Sequence, residues 1–242
     1  MTRRDFAQAA LLAGFATRLK AQNRMRARAV APVEKPAPAG LKPLDVRERR
    51  DTLVYIPEAA GEFAKAPLVL VLHGATQGAA QGIALLSAES DKHGFVLVAP
   101  ASLGRTWEIE DEWGPDFDNV DLSLAISFGL RNIDPTRIAV AGFSDGASYS
   151  LALGLANGDL FSAVFGFSAG YLTKEQHTGR PPVFLSAGNA DPIFPIDVCS
   201  RVIAKTLKAD GYNVTLREFE GHHTLPPDVA AEAVNWLEKT YS

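Results

Sequence analysis

Gly142-Phe143-Ser144-Asp145-Gly146 places a serine between two glycines in the pattern of a sharp turn that lifts it from a strand end onto a helix start. The glycines are required because side chains there would strike the neighbouring strand and helix as the backbone reverses. A serine so presented can act as a nucleophile if a base and an acid are brought to it. The pattern recurs at Gly166-Phe167-Ser168-Ala169-Gly170, and context separates the two. The first follows the apolar run Ile138–Ala141 and precedes the small-residue stretch Ala147–Gly154, which suits a helix packed closely on a sheet. The second leads into the polar stretch Tyr171–His177, which suits a loop. Ser144 is therefore the expected nucleophile and Ser168 the alternative.

Nucleophile turns of this kind take their partners in the chain order serine, acid, histidine. After Ser144, the run Val183–Leu185 opens into a loop holding Asp191, placed to receive an imidazole N–H. Asp197 is its rival, although it is expected to cap a helix beginning near residue 198. A pair of adjacent histidines, His222 and His223, follows Phe219, and the residues alone leave the base open between them. His93 and His177 are expected at the surface. Two backbone N–H groups should hold the negative oxygen of an acyl-transfer intermediate. The candidates are Asp145 and, in His73-Gly74-Ala75-Thr76, Ala75, with Thr76 as its alternative. His73 precedes the serine and is expected to bond beneath that loop and shape it. Trp107, Phe194 and Leu225 are candidate walls of a substrate pocket, although Trp107 and Trp113 equally suit a sealed core edge. The acids between residues 108 and 112 suit a solvated face better than a metal site.

These groups need elements to carry them. Leu53–Ile56, Leu68–Leu72, Phe95–Val98, Ile138–Ala141, Ala163–Phe167, Val183–Leu185 and Val214–Phe219 read as strands, several of them continuously apolar as buried strands are. Helical patterns fall between them, near 78–91, 119–131, 146–157, 198–210 and 227–239. This alternation predicts an α/β fold, a mostly parallel twisted sheet with helices on both faces. Ligands then bind at the carboxyl ends of the strands.

The N-terminus has a different character. Thr2-Arg3-Arg4-Asp5-Phe6 precedes an apolar stretch ending at Ala16, far short of the roughly 20 residues that span a bilayer. The pattern resembles a twin-arginine export signal. Residues 1–30 are assigned to that signal, with cleavage after Ala21 or near Ala29–Ala31, and the expected location is periplasmic or secreted. Residues 31–44, with four prolines, are read as a linker, and residues 45–242 as the catalytic domain. The chain has 24 Lys/Arg and 28 Asp/Glu, a net charge of −4; residues 1–30 hold seven of the basic residues and one acid, leaving 17 against 27, a net of −10. A body that acidic repels polyphosphate, so no nucleic-acid partner is expected. A single cysteine, Cys199, excludes an internal disulfide framework and a cysteine-rich zinc site.

With these residues in place, the stretch from about 50 to 240 resembles the phospholipase/carboxylesterase and polyhydroxybutyrate-depolymerase-like branch of the α/β-hydrolases. The likeness rests on His73–Gln77, on Asp134–Gly146 and on Phe219–Pro227 with its following helix. It implies a Ser144–His223–Asp191 triad, because His223 begins the His-x-Leu-Pro segment of small carboxylesterases. It also implies a small-molecule ester substrate and no metal or organic cofactor, and no stable membrane insertion of the mature domain is expected. A peptidase or thioesterase would share the triad, and a catalytically inactive binding module would share the fold. Serine at 144 excludes the carboxylate and cysteine nucleophiles of other α/β-hydrolases.

Overall fold

The apolar runs form the middle of one eight-stranded sheet. Its strands are β1 (Gly40–Pro43), β2 (Leu53–Ile56), β3 (Ala66–Leu72), β4 (Val96–Ala99), β5 (Ile133–Phe143), β6 (Ala163–Phe167), β7 (Val183–Gly188) and β8 (Val214–Phe219). They lie in the order β1-β2-β4-β3-β5-β6-β7-β8, with β1–β2 and β2–β4 antiparallel and all other pairs parallel. The computed structural model describes residues 24–29, 33–62, 64–108, 113–174 and 176–241. Among them are five α-helices: α1 (Ala79–His93), α2 (Pro115–Ser127), α3 (Asp145–Ala156), α4 (Ser200–Ala209) and α5 (Pro227–Tyr241).

Side chains alternate across a strand, so each run feeds two layers. Leu68, Leu70 and Leu72 join Leu124 of α2, Leu151 of α3 and Leu207 of α4 on one face. Val69 and Val71 join Ile83 of α1 and Leu237 of α5 on the other. Each such buried Leu or Ile contributes about 2 kcal/mol. The parallel register sets Leu72 beside Gly142, Phe143 beside Phe167 and Gly188 beside Phe219. The loops that leave these strands therefore open along one edge, and every candidate site residue lies there.

Two boundaries differ from expectation. Gly40–Pro43, read as linker, pairs with Leu53–Ile56 as an edge strand, so the folded domain begins upstream of residue 45. Its sequence carries no apolar run because an edge strand buries one side only, and Pro43 is tolerated where no further strand pairs. Residues 24–29, placed at the end of the signal, are packed onto the domain. Met25 and Ala27 are buried in the core that α2 and α3 share. The carboxylate of Asp121 accepts the N–H groups of Arg26 and Ala27, both at 2.8 Å, and Asn157 Oδ1 accepts that of Met25 at 2.8 Å. Arg24 and Arg28 both pair with Asp159. The arginine pair at 3 and 4 and the apolar stretch to Ala16 lie outside the described residues. Among the described residues no helix is long and apolar enough to cross a membrane.

Candidate active site

Ser144 sits between β5 and α3 with φ 58° and ψ −124°, a backbone conformation that costs a non-glycine residue about 1–3 kcal/mol. The turn is tight on both sides. A Cβ on Gly142 would lie 2.0 Å from the Gly146 carbonyl oxygen, and one on Gly146 would lie 2.4 Å from the carbonyl oxygens of Leu72 and His73. The Ser144 N–H donates to the Phe167 carbonyl at 2.9 Å, tying the turn to the neighbouring strand end.

The structure brings Asp191 and His223 to this serine. His223 Nε2 lies 2.8 Å from Ser144 Oγ. On its other side, Nδ1–H donates to Asp191 Oδ2 at 2.6 Å. The carboxylate accepts only, so it fixes the proton on Nδ1 and leaves Nε2 to receive the serine proton. Asp191 is itself held, its Oδ1 accepting the N–H groups of Ile193 at 2.8 Å and Phe194 at 2.9 Å. The imidazole lies between two rings, Phe143 at 4.9 Å and Phe194 at 5.5 Å between centroids. The alternatives lie elsewhere. Asp197 is exposed and pairs with Arg201. His222 is exposed and bonds the Ala190 carbonyl at 2.9 Å. Ser168 is buried, and its hydroxyl has no partner among the described residues.

Of the candidate oxyanion donors, Asp145 follows the serine directly, and Ala75 belongs to a turn that approaches it: a Cβ on Gly74 would lie 3.3 Å from Ser144 Cβ. Gly74 to Gln77 form a turn closed by Gln77 N–H to the Gly74 carbonyl, with Thr76 at φ 64°. The Thr76 N–H donates to the Arg105 carbonyl at 2.6 Å, which removes it from competition and leaves Ala75. Among the described residues, the N–H groups of Ala75 and Asp145 have no acceptor. The Asp145 carboxylate is drawn aside, accepting from the Thr106 hydroxyl at 2.7 Å.

His73 lies beneath this turn. Its Nδ1–H donates to the Gly74 carbonyl at 2.7 Å, and Nε2 accepts the Ser102 N–H at 3.0 Å. Burial lowers the imidazole to about 4, so it is neutral in this role. Trp107 is not a pocket wall. It is 3% exposed, stacks on Tyr149 at 5.2 Å and donates its indole N–H to the His73 carbonyl at 2.8 Å. A wide apolar ring with one donor fits under a loop whose carbonyls point inward. Leu225 does line a cleft of about 500 Å³ that starts at His223 and Phe143 and continues past Gln81, Leu85 and Ala88 of α1. Sequence reasoning missed Phe143 and Thr106 as neighbours of the reacting groups; only their position beside motif residues hinted at them. Among the described residues no three His, Cys, Asp or Glu side chains cluster to hold a metal ion.

Comparison with known proteins bears on the family and the fold. Residues 119–241 match the sequence model of the phospholipase/carboxylesterase family. The chain is 32% identical over 154 residues to the putative esterase NocK of Nocardia uniformis subsp. tsuyamanensis, covering 58% of this chain and 44% of that one. It is 29% identical over 117 residues to acyl-protein thioesterase 1 of Gibberella zeae, covering 44% of this chain and 49% of that one. The chain thus spans about half the length of the curated relatives it matches. The fold is similar to that of esterase PE8, with a TM-score of 0.64 at 22% identity over 77% of this chain and 97% of that one. It is also similar to a phospholipase/carboxylesterase from Dyadobacter fermentans, with a TM-score of 0.59 at 22% identity over 87% and 99%.

Proposed function

The chain belongs to the phospholipase/carboxylesterase family, and from that premise we propose that it is a serine hydrolase of carboxylic esters acting through an acyl-enzyme. The observation that carries this reading is the hydrogen-bonded line from Asp191 through His223 to Ser144. His223 takes the serine proton as Oγ attacks the ester carbonyl, while Asp191 holds the tautomer and supports the imidazolium. The N–H groups of Ala75 and Asp145 receive the oxyanion. His223 then protonates the leaving alcohol, and water repeats the sequence on the acyl-serine.

The cleft beside His223 supports esters of short to moderate length, with Leu85 and Leu225 as apolar walls. The test is release of p-nitrophenol from acetate through decanoate esters by residues 24–242, with Ser144→Ala alongside. Turnover abolished in the variant is the expected result; a folded protein inert on every ester overturns the reading. Similarity to an acyl-protein thioesterase makes acyl thioesters the second substrate class to assay.

We also propose export to the periplasm or beyond, supported by the arginine pair and apolar run of residues 3–16. Export that persists unchanged in Arg3→Lys/Arg4→Lys overturns it.

A further inference from the structure

Arg50 lies in the loop joining β1 to β2, remote in sequence from every residue of the proposed reaction. The loop is organised by the Asp51 carboxylate, which accepts the N–H groups of Asp45, Val46 and Arg47. Within it Arg50 adopts φ 52°, a left-handed conformation that a long L side chain rarely takes. Backbone outliers of this kind cluster where a side chain must be aimed.

The aim is toward the loop that carries Ala75. Arg50 Nη2 donates to the Gln77 carbonyl at 2.8 Å and to the Ser102 hydroxyl at 3.2 Å, and Nε donates to the Ser102 carbonyl. Among the described residues the guanidinium makes no hydrogen bond or close ion pair with a carboxylate, although the buried Asp116 carboxyl feels its charge, so the hydrogen bonds of its rigid fork go to neutral oxygens of two loops. Those loops are the ones that need holding. Gln77 ends the turn whose third residue, Thr76, is forced to φ 64°, a position that favours glycine. Ser102 begins the segment whose Arg105 carbonyl holds Thr76 and whose N–H reaches His73. Arg50 is the one side chain that bridges the Gln77 carbonyl to the Ser102 carbonyl among the described contacts. Lysine has a single nitrogen and cannot reproduce the fork.

We propose that Arg50 is a positioning residue for the oxyanion site, clamping the Gly74–Gln77 turn so that the Ala75 N–H meets the tetrahedral oxygen. This rests on the ester-hydrolase reading above. A displaced donor weakens the transition state far more than the bound substrate, so kcat carries the effect.

The experiment measures p-nitrophenyl butyrate hydrolysis, phenylboronic acid affinity, the rate of Ser144 labelling by a fluorophosphonate and the thermal midpoint. It compares wild type, Arg50→Ala, Arg50→Lys and Arg47→Ala. Arg47 belongs to the same loop but bonds Asn119 of α2 instead. The expected result is a fall of about 10-fold or more in kcat for Arg50→Ala, with KM within about twofold. Boronate affinity and labelling rate fall in parallel, millimolar guanidinium restores part of the loss, and Arg50→Lys does not recover wild-type turnover. Arg47→Ala retains wild-type rates. Unchanged kcat in Arg50→Ala overturns the proposal, as does a loss matched by Arg47→Ala or accompanied by a lowered midpoint and raised KM. If wild type labels but cleaves no ester, the ester reading fails while the labelling rates still decide the role of Arg50. If wild type neither cleaves nor labels, both fall.

Discussion

Two turns in this protein share the sequence Gly-Phe-Ser-x-Gly, end adjacent parallel strands and hold their serines at nearly the same φ, 58° at Ser144 and 52° at Ser168. Only the first faces a histidine. The difference lies in what each turn is pressed against. At Gly142 and Gly146 the obstacle to a side chain is backbone: the turn's own next carbonyl and the end of β3. At Gly166 and Gly170 the nearest obstacles are the side chains of Leu185 and Phe194. The first turn is wedged between strand and helix and turns its hydroxyl to His223; the second is packed against neighbouring side chains, and its hydroxyl is buried. A motif thus fixes a backbone shape, and its neighbours decide whether the shape is used.

The largest way to break this comparison is to remove the hydroxyls and their supposed base. Ser144→Ala and His223→Ala are each expected to cut kcat by about 10⁶, while Ser168→Ala and His222→Ala stay within about threefold in the ester release assay. Comparable losses from Ser168→Ala would reverse the assignment of the two turns. Asp191→Asn should cost about 10⁴ in kcat, because the amide holds the wrong imidazole tautomer. The glycines sharpen the contrast through stability. Gly146→Ala forces a backbone shift and should cost about 3 kcal/mol by denaturant titration, whereas Gly170→Ala needs only a movement of the Phe194 ring and should cost about 1 kcal/mol.

A pH-dependent effect separates the loop under the site from both turns. His73 titrates near 4 when folded and near 6.5 when unfolded, so between those pH values the unfolded chain binds more protons. Its contribution to stability is therefore fully present above pH 6.5 and declines as pH falls toward 4, by up to about 1.4 kcal/mol per pH unit. Stability from denaturant titrations should vary more steeply with pH across that window in wild type than in His73→Asn; an equal pH dependence would remove His73 as the cause. The smallest expected effect is at the unused turn. Ser168→Ala deletes a buried hydroxyl without a partner and should raise stability by about 1 kcal/mol, readable as a higher thermal midpoint.

How much of this was legible in the sequence follows from what each element asks of its residues. Central strands are buried on both faces, so Leu68–Leu72 and Ile138–Ala141 announced themselves as apolar runs. The serine, acid and histidine were ordered by the chain, and a resemblance chose between His222 and His223. Edge strand β1 was hidden because Gly40–Pro43 buries little and contains residues typical of linkers. Trp107 was ambiguous because an indole serves equally as a wall or as packing; only its bond to the His73 carbonyl decided. Arg50 left no trace, since its partners are two backbone carbonyls, which have no letter of their own, and a serine hydroxyl 52 positions away.

The strap at residues 24–29 has a consequence for the order of events in biosynthesis. Met25 is bound by Asn157, 132 positions later in the chain, and Arg24 and Arg28 by Asp159. At about 5–20 residues per second, the seat is synthesised on the order of ten seconds after the strap. Throughout that interval the apolar Met25 and Ala27 and the arginines around them are uncovered, and whatever binds a nascent N-terminus has no competitor from the fold. Once helix α3 has ended and Asn157 is in place, the same residues are withdrawn into the core. The strap's seat is thus complete once helix α3 has been made, before strands β6 to β8 and the residues Asp191 and His223 have been synthesised.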